Sequence, residues 1–366
     1  MKQHSKTNKY QIIEGILAGL LFLIVPGFGI AAYSILTAQR SVSFAGSISP
    51  EIVKLWMAGI LSLLAFLLVL GLLLVFRHKR KKRGFPAPLA KCNAFVRKHW
   101  LICTVGILLL LVLLLFVLAL CLQNHFVFFP TRCEPSEQYL SEAEGFSQVS
   151  LENGKYVGWL YRQPEAEKVL VIFGGNAQNA AIFLHSLRID GQLEKTAGYN
   201  LLMVDYPGYG LSEGKPSEKT ILPMTDAIAA FVREQELGKV TYFGYSIGTG
   251  VATYAAAHAE CEQLILLAPY ENLTVMYNSF VNVFHGPLRG LVRNKFPSDE
   301  YAKDITVKTR IIASHSDELI PFASSEALSK CFADAEFFPV DNLGHNELIF
   351  DDGVWDLVAG FLHAEE

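Results

Sequence analysis

The sequence predicts an α/β domain, a mostly parallel sheet with helices on both faces, preceded by N-terminal transmembrane helices. Two observations predict it. Apolar residues make up 51% of the 366-residue chain, a high share for a soluble protein, and the excess sits in the first third. From Asn124 onward the texture changes to short apolar runs that alternate with helical patterns.

The membrane region is expected over 1–123. Ile52–Phe76 and Trp100–Leu122 are long apolar runs, and a hydrocarbon core takes about 20 helical residues to cross. Trp100–Leu122 carries no charge. An earlier run, Ile16–Leu36, within a first span placed at 12–36, is broken by Pro26-Gly27 and preceded by Lys2, Lys6 and Lys9. It reads as a span or a signal peptide. Apolar residues continue past Pro26 and no small-x-small site follows, which favours a span.

Basic residues set the orientation. Arg77, Lys79, Arg80, Lys81, Lys82 and Arg83 follow the second span, and Lys91, Arg97 and Lys98 precede the third, all within a linker over 77–99. An excess of Lys and Arg marks the cytoplasmic side. The region after Leu122 is therefore expected on the extracytoplasmic side, with the plasma membrane as the expected location. The same cluster can also meet anionic lipid.

The net charge of −4 excludes nucleic acid as an obvious partner. The six cysteines, Cys92, Cys103, Cys121, Cys133, Cys261 and Cys331, contain no CxxC pair, which argues against a zinc site or a disulfide framework. A bridge among Cys133, Cys261 and Cys331 stays open beside the reading of buried free thiols.

In 124–366, Lys168–Phe173, Asn200–Asp205, Val240–Gly244, Gln263–Leu267 and Thr309–Ser314 read as strands. They lack polar alternation, as strands covered on both faces do. Ala177–Leu193, Ser217–Glu236, Ile247–Ala259 and Ser324–Phe332 read as helices between them. This alternation implies a parallel sheet, whose ligands bind at the carboxyl ends of the strands. No internal repeat is present.

Gly244-Tyr245-Ser246-Ile247-Gly248 is a G-x-S-x-G pentapeptide entered from the VTYFG strand and followed by the small-residue helix GTGVATYAAA. The motif needs this strand–turn–helix setting, in which the turn exposes the serine oxygen. The bland alternative is an ordinary glycine-rich turn. A serine hydroxyl needs a base, and the base needs an orienting group. With this motif the acid and then the histidine follow the serine along the chain. The candidate acids are Asp299, Asp304, Asp317, Glu318 and Asp341. Only Asp317 and Glu318 directly follow a predicted strand, and position favours Asp317. Of the histidines, His345 lies in the turn-rich loop after the apolar Phe337–Val340 run. His363 lies near the end of a terminal helix, and His315 is too close to Asp317 to arrive from a separate loop.

An acyl-transfer site also needs donors for the developing oxyanion, one of them the N–H after the nucleophile. That points to Ile247. The Gly174-Gly175-Asn176 turn after the KVLVIF strand supplies the second donor, assigned to Asn176. A phosphate-binding reading of this turn lacks both the G-x-G-x-x-G pattern and a P-loop lysine.

With these residues placed, about Val127–Ala364 resembles the α/β-hydrolase superfamily. It looks most like the branch with membrane-anchored lysophospholipases, protein depalmitoylases and many bacterial hydrolases. The matching pieces are Phe128-Phe129-Pro130, Phe173–Ala177, Asp205–Gly214, Gly244–Gly248, Ala268-Pro269-Tyr270, Asp317–Pro321 and Gly344-His345-Asn346. The chain departs at Gly174–Asn179, where the family usually has His-Gly-Asn-Ala-Gly-Asn. It departs again at Ser314-His315-Ser316-Asp317, shorter than the usual His-Gly-x-x-Asp.

The resemblance implies an α/β-hydrolase fold and ester or thioester cleavage through Ser246, His345 and Asp317, with no metal or organic cofactor. A peptidase or amidase on the same triad is the alternative enzyme, and a catalytically silent binding protein the alternative class. The substrate class implied is a small acyl compound of lipid-like character. A cap insertion is expected over 273–305. Within it Tyr277, Phe280, Val281, Phe284, Leu288, Leu291 and Val292 recur at near-helical spacing, interrupted by Gly286-Pro287. This stripe either packs on the core or lines an acyl pocket opening toward the bilayer. Arg289, Arg293 and Lys295 would then meet an anionic head group.

Overall fold

The computed structural model describes residues 99–121, 123–131, 136–280 and 282–364. The described residues fall into two compact units, one ending at Cys121 and one running from Gln123 to Ala364. Each is taken by itself.

In the first unit, helix α1 (Trp100–Cys121) has 22 residues and no Asp, Glu, Lys or Arg. Ile102 and Leu109 on it are exposed, at 69% and 66%. Among the described residues no helix is long and apolar enough to cross a membrane, so the span expected at 100–122 is not borne out. The spans expected at 12–36 and 52–76 and the basic cluster lie outside the described residues.

The second unit is an eight-stranded sheet in the order β1-β2-β4-β3-β5-β6-β7-β8. The strands are β1 Phe146–Leu151, β2 Tyr156–Tyr161, β3 Lys168–Phe173, β4 Tyr199–Val204, β5 Lys239–Tyr245, β6 Gln263–Leu267, β7 Lys308–Ser314 and β8 Ala335–Val340. From β4 to β8 every pair is parallel. β1 and β2 form an antiparallel extension on one edge. The longer helices between strands are α2 Ala180–Ile189, α3 Glu218–Glu234, α4 Gly248–His258, α5 Leu273–Phe280, α6 Phe322–Ser329 and α7 Asp352–Leu362.

The central strands are apolar all along because both faces are covered. All six residues of β4 and five of the six in β3 are buried. α7 packs its Trp355 flat against Phe243 of β5, ring centroids 5.7 Å apart. Two helices begin on side-chain caps that use an orphan N–H of the first turn. Asn179 accepts from Ile182 N at the start of α2, and Asp351 accepts from Val354 N at the start of α7.

The order β4-β3-β5 places the site. The chain winds to one side of β3 for β4 and to the other side for β5, and the reversal leaves a crevice at the carboxyl ends of β3 and β5. Phe173 pairs with Gly244 across these strands. The turn after β3 and the pentapeptide after β5 are therefore neighbours.

Several expectations shift. The helix expected over Ala177–Leu193 begins only at Ala180, because Ala177 takes φ +58° and Asn179 is the extended cap; it ends at Ile189, and a 3-10 turn follows over Gln192–Thr196. The helix expected over Ser324–Phe332 begins directly after Pro321 and ends at Ser329. The insertion over 273–305 is interrupted at Gly286-Pro287, as its sequence indicates. α5 stops at Phe280, and Gly286-Pro287 opens a separate 3-10 turn over Gly286–Leu291.

The apolar stripe consequently divides. Phe284 and Val292 are buried, and Tyr277 packs on the core, whereas Phe280, Leu288 and Leu291 are exposed. Val281 lies outside the described residues. Gln123 pins this insertion: its amide donates to Leu291 O at 2.8 Å and accepts from Arg293 N at 2.9 Å. Cys261 and Cys331 are free thiols, and burial pushes the Cys261 thiol up to about 12. Cys133 lies outside the described residues.

Candidate active site

β5 ends at Tyr245, and Ser246 follows with φ +55°. A non-glycine residue in this region costs on the order of 1–3 kcal/mol and persists only where its surroundings hold it. Ser246 N donates to Leu267 O at 3.0 Å, and Ser246 O accepts from Thr249 N at 3.0 Å. The flanking glycines are steric necessities. A Cβ on Gly244 would lie 2.7 Å from Gly248 O, and one on Gly248 would lie 2.0 Å from Phe173 O.

The structure brings the three candidate residues into one series. Ser246 Oγ is 2.8 Å from His345 Nε2, and His345 Nδ1 is 2.7 Å from Asp317 Oδ2. The His345 and Asp317 side chains are almost fully buried. Water does not screen a contact of this kind as it screens surface pairs.

Each member is held from several sides. Asp317 follows β7, and its Oδ1 accepts from Leu319 N and Ile320 N, both at 2.8 Å. Its other oxygen is left to the imidazole. His345 opens a short helical turn after β8. Its ring stacks on Tyr245 with centroids 5.4 Å apart, and its carbonyl accepts from Tyr245 OH at 2.9 Å.

The rival residues lie elsewhere. Glu318 accepts the backbone N–H of His345 at 3.0 Å and does not reach the ring. Asp299 accepts from the Asn272 amide. His315 pairs with Asp341 on the surface at 2.8 Å. His363 contacts the Lys195 carbonyl at 3.3 Å.

The turn after β3 lies beside the serine: a Cβ on Gly175 would meet the Tyr245 ring at 2.8 Å. The side chain of Asn176 is fully engaged. Its Oδ1 accepts from Phe129 N, Ala177 N and Tyr209 OH, and its Nδ2 donates to Val127 O. The backbone N–H of Asn176 is a separate donor. Among the described residues neither that N–H nor the N–H of Ile247 is taken by another group.

Sequence reasoning did not find the partners of this turn. Tyr206 OH donates to Gly174 O at 2.8 Å, and Gln178 Oε1 accepts from Gly175 N at 2.7 Å. Asp205, at the carboxyl end of β4, accepts from Ala180 N at 2.7 Å. Burial pushes the Asp205 carboxyl up to about 7. The D-Y-P-G-Y-G run was visible as a family motif, but nothing in its spacing says that it grips the turn after β3. Among the described residues no group of three or more His, Cys, Asp or Glu is placed to hold a metal.

Comparison with known proteins agrees with this architecture. Residues 168–298 match the family model described as the alpha/beta hydrolase fold. An uncharacterized protein of Mycobacterium tuberculosis is 27% identical over 256 residues, covering 66% of this chain and 87% of that protein. Alpha/beta hydrolase domain-containing protein 17C of Mus musculus is 26% identical over 235 residues, 57% of this chain and 72% of that one. Among solved structures, the Pyrococcus furiosus esterase Pf2001 aligns with a TM-score of 0.51 at 18% identity, over 64% of this chain and 96% of its own. That likeness is one of fold.

Proposed function

As a member of the α/β-hydrolase superfamily, this chain is, we propose, a membrane-anchored serine hydrolase that cleaves carboxylic ester or thioester bonds of acyl substrates through Ser246, His345 and Asp317. The observation that carries the reading is the unbroken series of contacts, 2.8 Å from Ser246 Oγ to His345 Nε2 and 2.7 Å from His345 Nδ1 to Asp317 Oδ2.

In this reading Ser246 Oγ attacks the carbonyl carbon while His345 Nε2 takes the hydroxyl proton. Asp317 holds the imidazole tautomer and stabilises the imidazolium. The carbonyl electrons move onto oxygen, and the oxyanion is met by the N–H groups of Asn176 and Ile247. Its collapse expels the alcohol or thiol, protonated by His345, and leaves an acyl ester on Ser246. A water, deprotonated by the same Nε2, then attacks that ester. The acid is released and the serine recovers its proton. No step needs a metal or organic cofactor.

The long apolar runs of the sequence at Ile52–Phe76 and Trp100–Leu122 support anchoring, since about 20 such residues match a hydrocarbon core. The basic residues at Arg77–Arg83 support an extracytoplasmic catalytic domain. A membrane-impermeant protease added to intact cells is expected to cut after Gln123. Cutting only after lysis would reverse this orientation.

The exposed Phe280, Leu288 and Leu291 with the cationic Arg289, Arg293 and Lys295 favour a lipid-like acyl substrate. Esters of medium and long chains are expected to turn over faster than acetyl esters and aminoacyl amides, and Phe280→Asp is expected to erode that preference. Phe284→Asp is not a clean probe, because Phe284 is buried and a carboxylate there would unsettle the fold. A strict preference for acetate, unchanged by Phe280→Asp, would remove the lipid reading. Preferential cleavage of the amides would turn the assignment to a peptidase.

A further inference from the structure

Three consecutive residues of the turn after β3 are each held by a different side chain. Gly174 O accepts from Tyr206 OH at 2.8 Å, Gly175 N donates to Gln178 Oε1 at 2.7 Å, and Asn176 Oδ1 accepts from Tyr209 OH at 2.7 Å. Two of the three come from the loop after β4, across the reversal point of the sheet. Tyr206 and Tyr209 are 4% and 0% exposed, so neither bond competes with bulk water. Burial raises both phenols well above their ordinary value, and each remains a protonated donor.

We infer that Tyr206, Tyr209 and Gln178 are positioning residues for transition-state stabilisation: they fix the Gly174–Asn176 backbone so that the Asn176 N–H stays aimed at the oxyanion. This rests on the proposed Ser246 acyl transfer.

The packing leaves the turn little room. A Cβ on Gly174 would lie 3.1 Å from Gln178 Oε1, and the Gly174 carbonyl itself sits 2.5 Å from where a Cβ on Gly248 would be. A side chain on Gly174 would therefore crowd the Gln178 amide, and one on Gly248 would crowd the Gly174 carbonyl. The carboxamide of Gln178 ties down the turn through Gly175 N. Asn176 extends the hold to the start of the domain, through Val127 O at 2.6 Å and Phe129 N at 2.9 Å.

The same geometry separates positioning from folding. Tyr199 has an equally buried hydroxyl, which donates to Leu362 O at 2.9 Å, but it stands at the opposite, amino end of β4. Tyr199→Phe removes a buried hydrogen bond of the same kind without touching the turn.

The test uses the full chain in detergent micelles, with p-nitrophenyl ester turnover, melting temperature and inhibition by an alkyl trifluoromethyl ketone, which forms a tetrahedral oxyanion on serine. Removing one oxyanion donor outright costs on the order of 10²–10³ in kcat. Loosening it through Tyr209→Phe or Tyr206→Phe is expected to lower kcat by about tenfold or more with KM within about twofold. The inhibition constant should rise by the factor by which kcat/KM falls, and Gln178→Ala should behave alike. Tyr199→Phe should lower the melting temperature to a similar extent and leave kcat unchanged. If Tyr209→Phe and Tyr206→Phe keep wild-type kcat, or lose kcat while the ketone binds as before, the inference is overturned. Wild-type turnover by Ser246→Ala would instead overturn the acyl-transfer reading, and this inference with it.

Discussion

Ser246→Ala is expected to reduce ester turnover to background, a drop on the order of 10⁶-fold for triads that act as a unit. In the proposed mechanism the hydroxyl oxygen bonds to substrate, and among the described residues its one side-chain contact is His345 Nε2 at 2.8 Å. Nothing else in the fold leans on it, so the melting temperature should stay close to wild type. His345→Ala should lose nearly as much. Asp317→Asn should lose about 10⁴-fold while keeping the fold, because an Asn Oδ1 can still accept from Leu319 N and Ile320 N. What it loses is the oxygen that fixes the proton on Nδ1. Turnover comparable to wild type in Ser246→Ala would end the proposed mechanism.

Gly248→Ala is expected to damage stability and activity together. The new methyl would lie 2.0 Å from Phe173 O and 2.5 Å from Gly174 O. Both are backbone atoms at the end of β3, and neither has a rotamer to escape into. Overpacking of this kind costs about 1–3 kcal/mol, occasionally more. The atoms that must yield belong to the turn that carries Asn176, so a fall in kcat of at least about 10²-fold should accompany the lower melting temperature. Gly290→Ala is the matched control. It has nothing within 4 Å of its Cβ and should change neither quantity.

How much was legible in the sequence followed the physics of each element. β3 to β7 were readable because a strand covered on both faces must be apolar throughout, as Val169–Phe173 and Leu264–Leu267 are. β1, where Ser147, Gln148 and Ser150 are exposed, lacks that signal and was missed, as was β2, and with them the antiparallel edge; β8 was missed as well. The serine, acid and histidine were readable because the pentapeptide demands a strand–turn–helix setting and the other two follow in chain order. The roles of Tyr206, Tyr209 and Gln178 were not, because their bonds exist only once β4 lies beside β3. The break at Gly286-Pro287 was readable in the cap stripe, but spacing does not say which of its residues pack on the core. Phe284 then turns inward while Phe280 and Leu288 stay outside.

The central claim is that Ser246 is the activated nucleophile, and its most direct test is covalent. The full chain should be treated with a fluorophosphonate, with and without prior denaturation, and digested for mass spectrometry. The account predicts one modified serine, Ser246, in the folded protein, with labelling lost on denaturation and in His345→Ala. An unmodified Ser246 in folded protein, or label carried by a different serine, would contradict it.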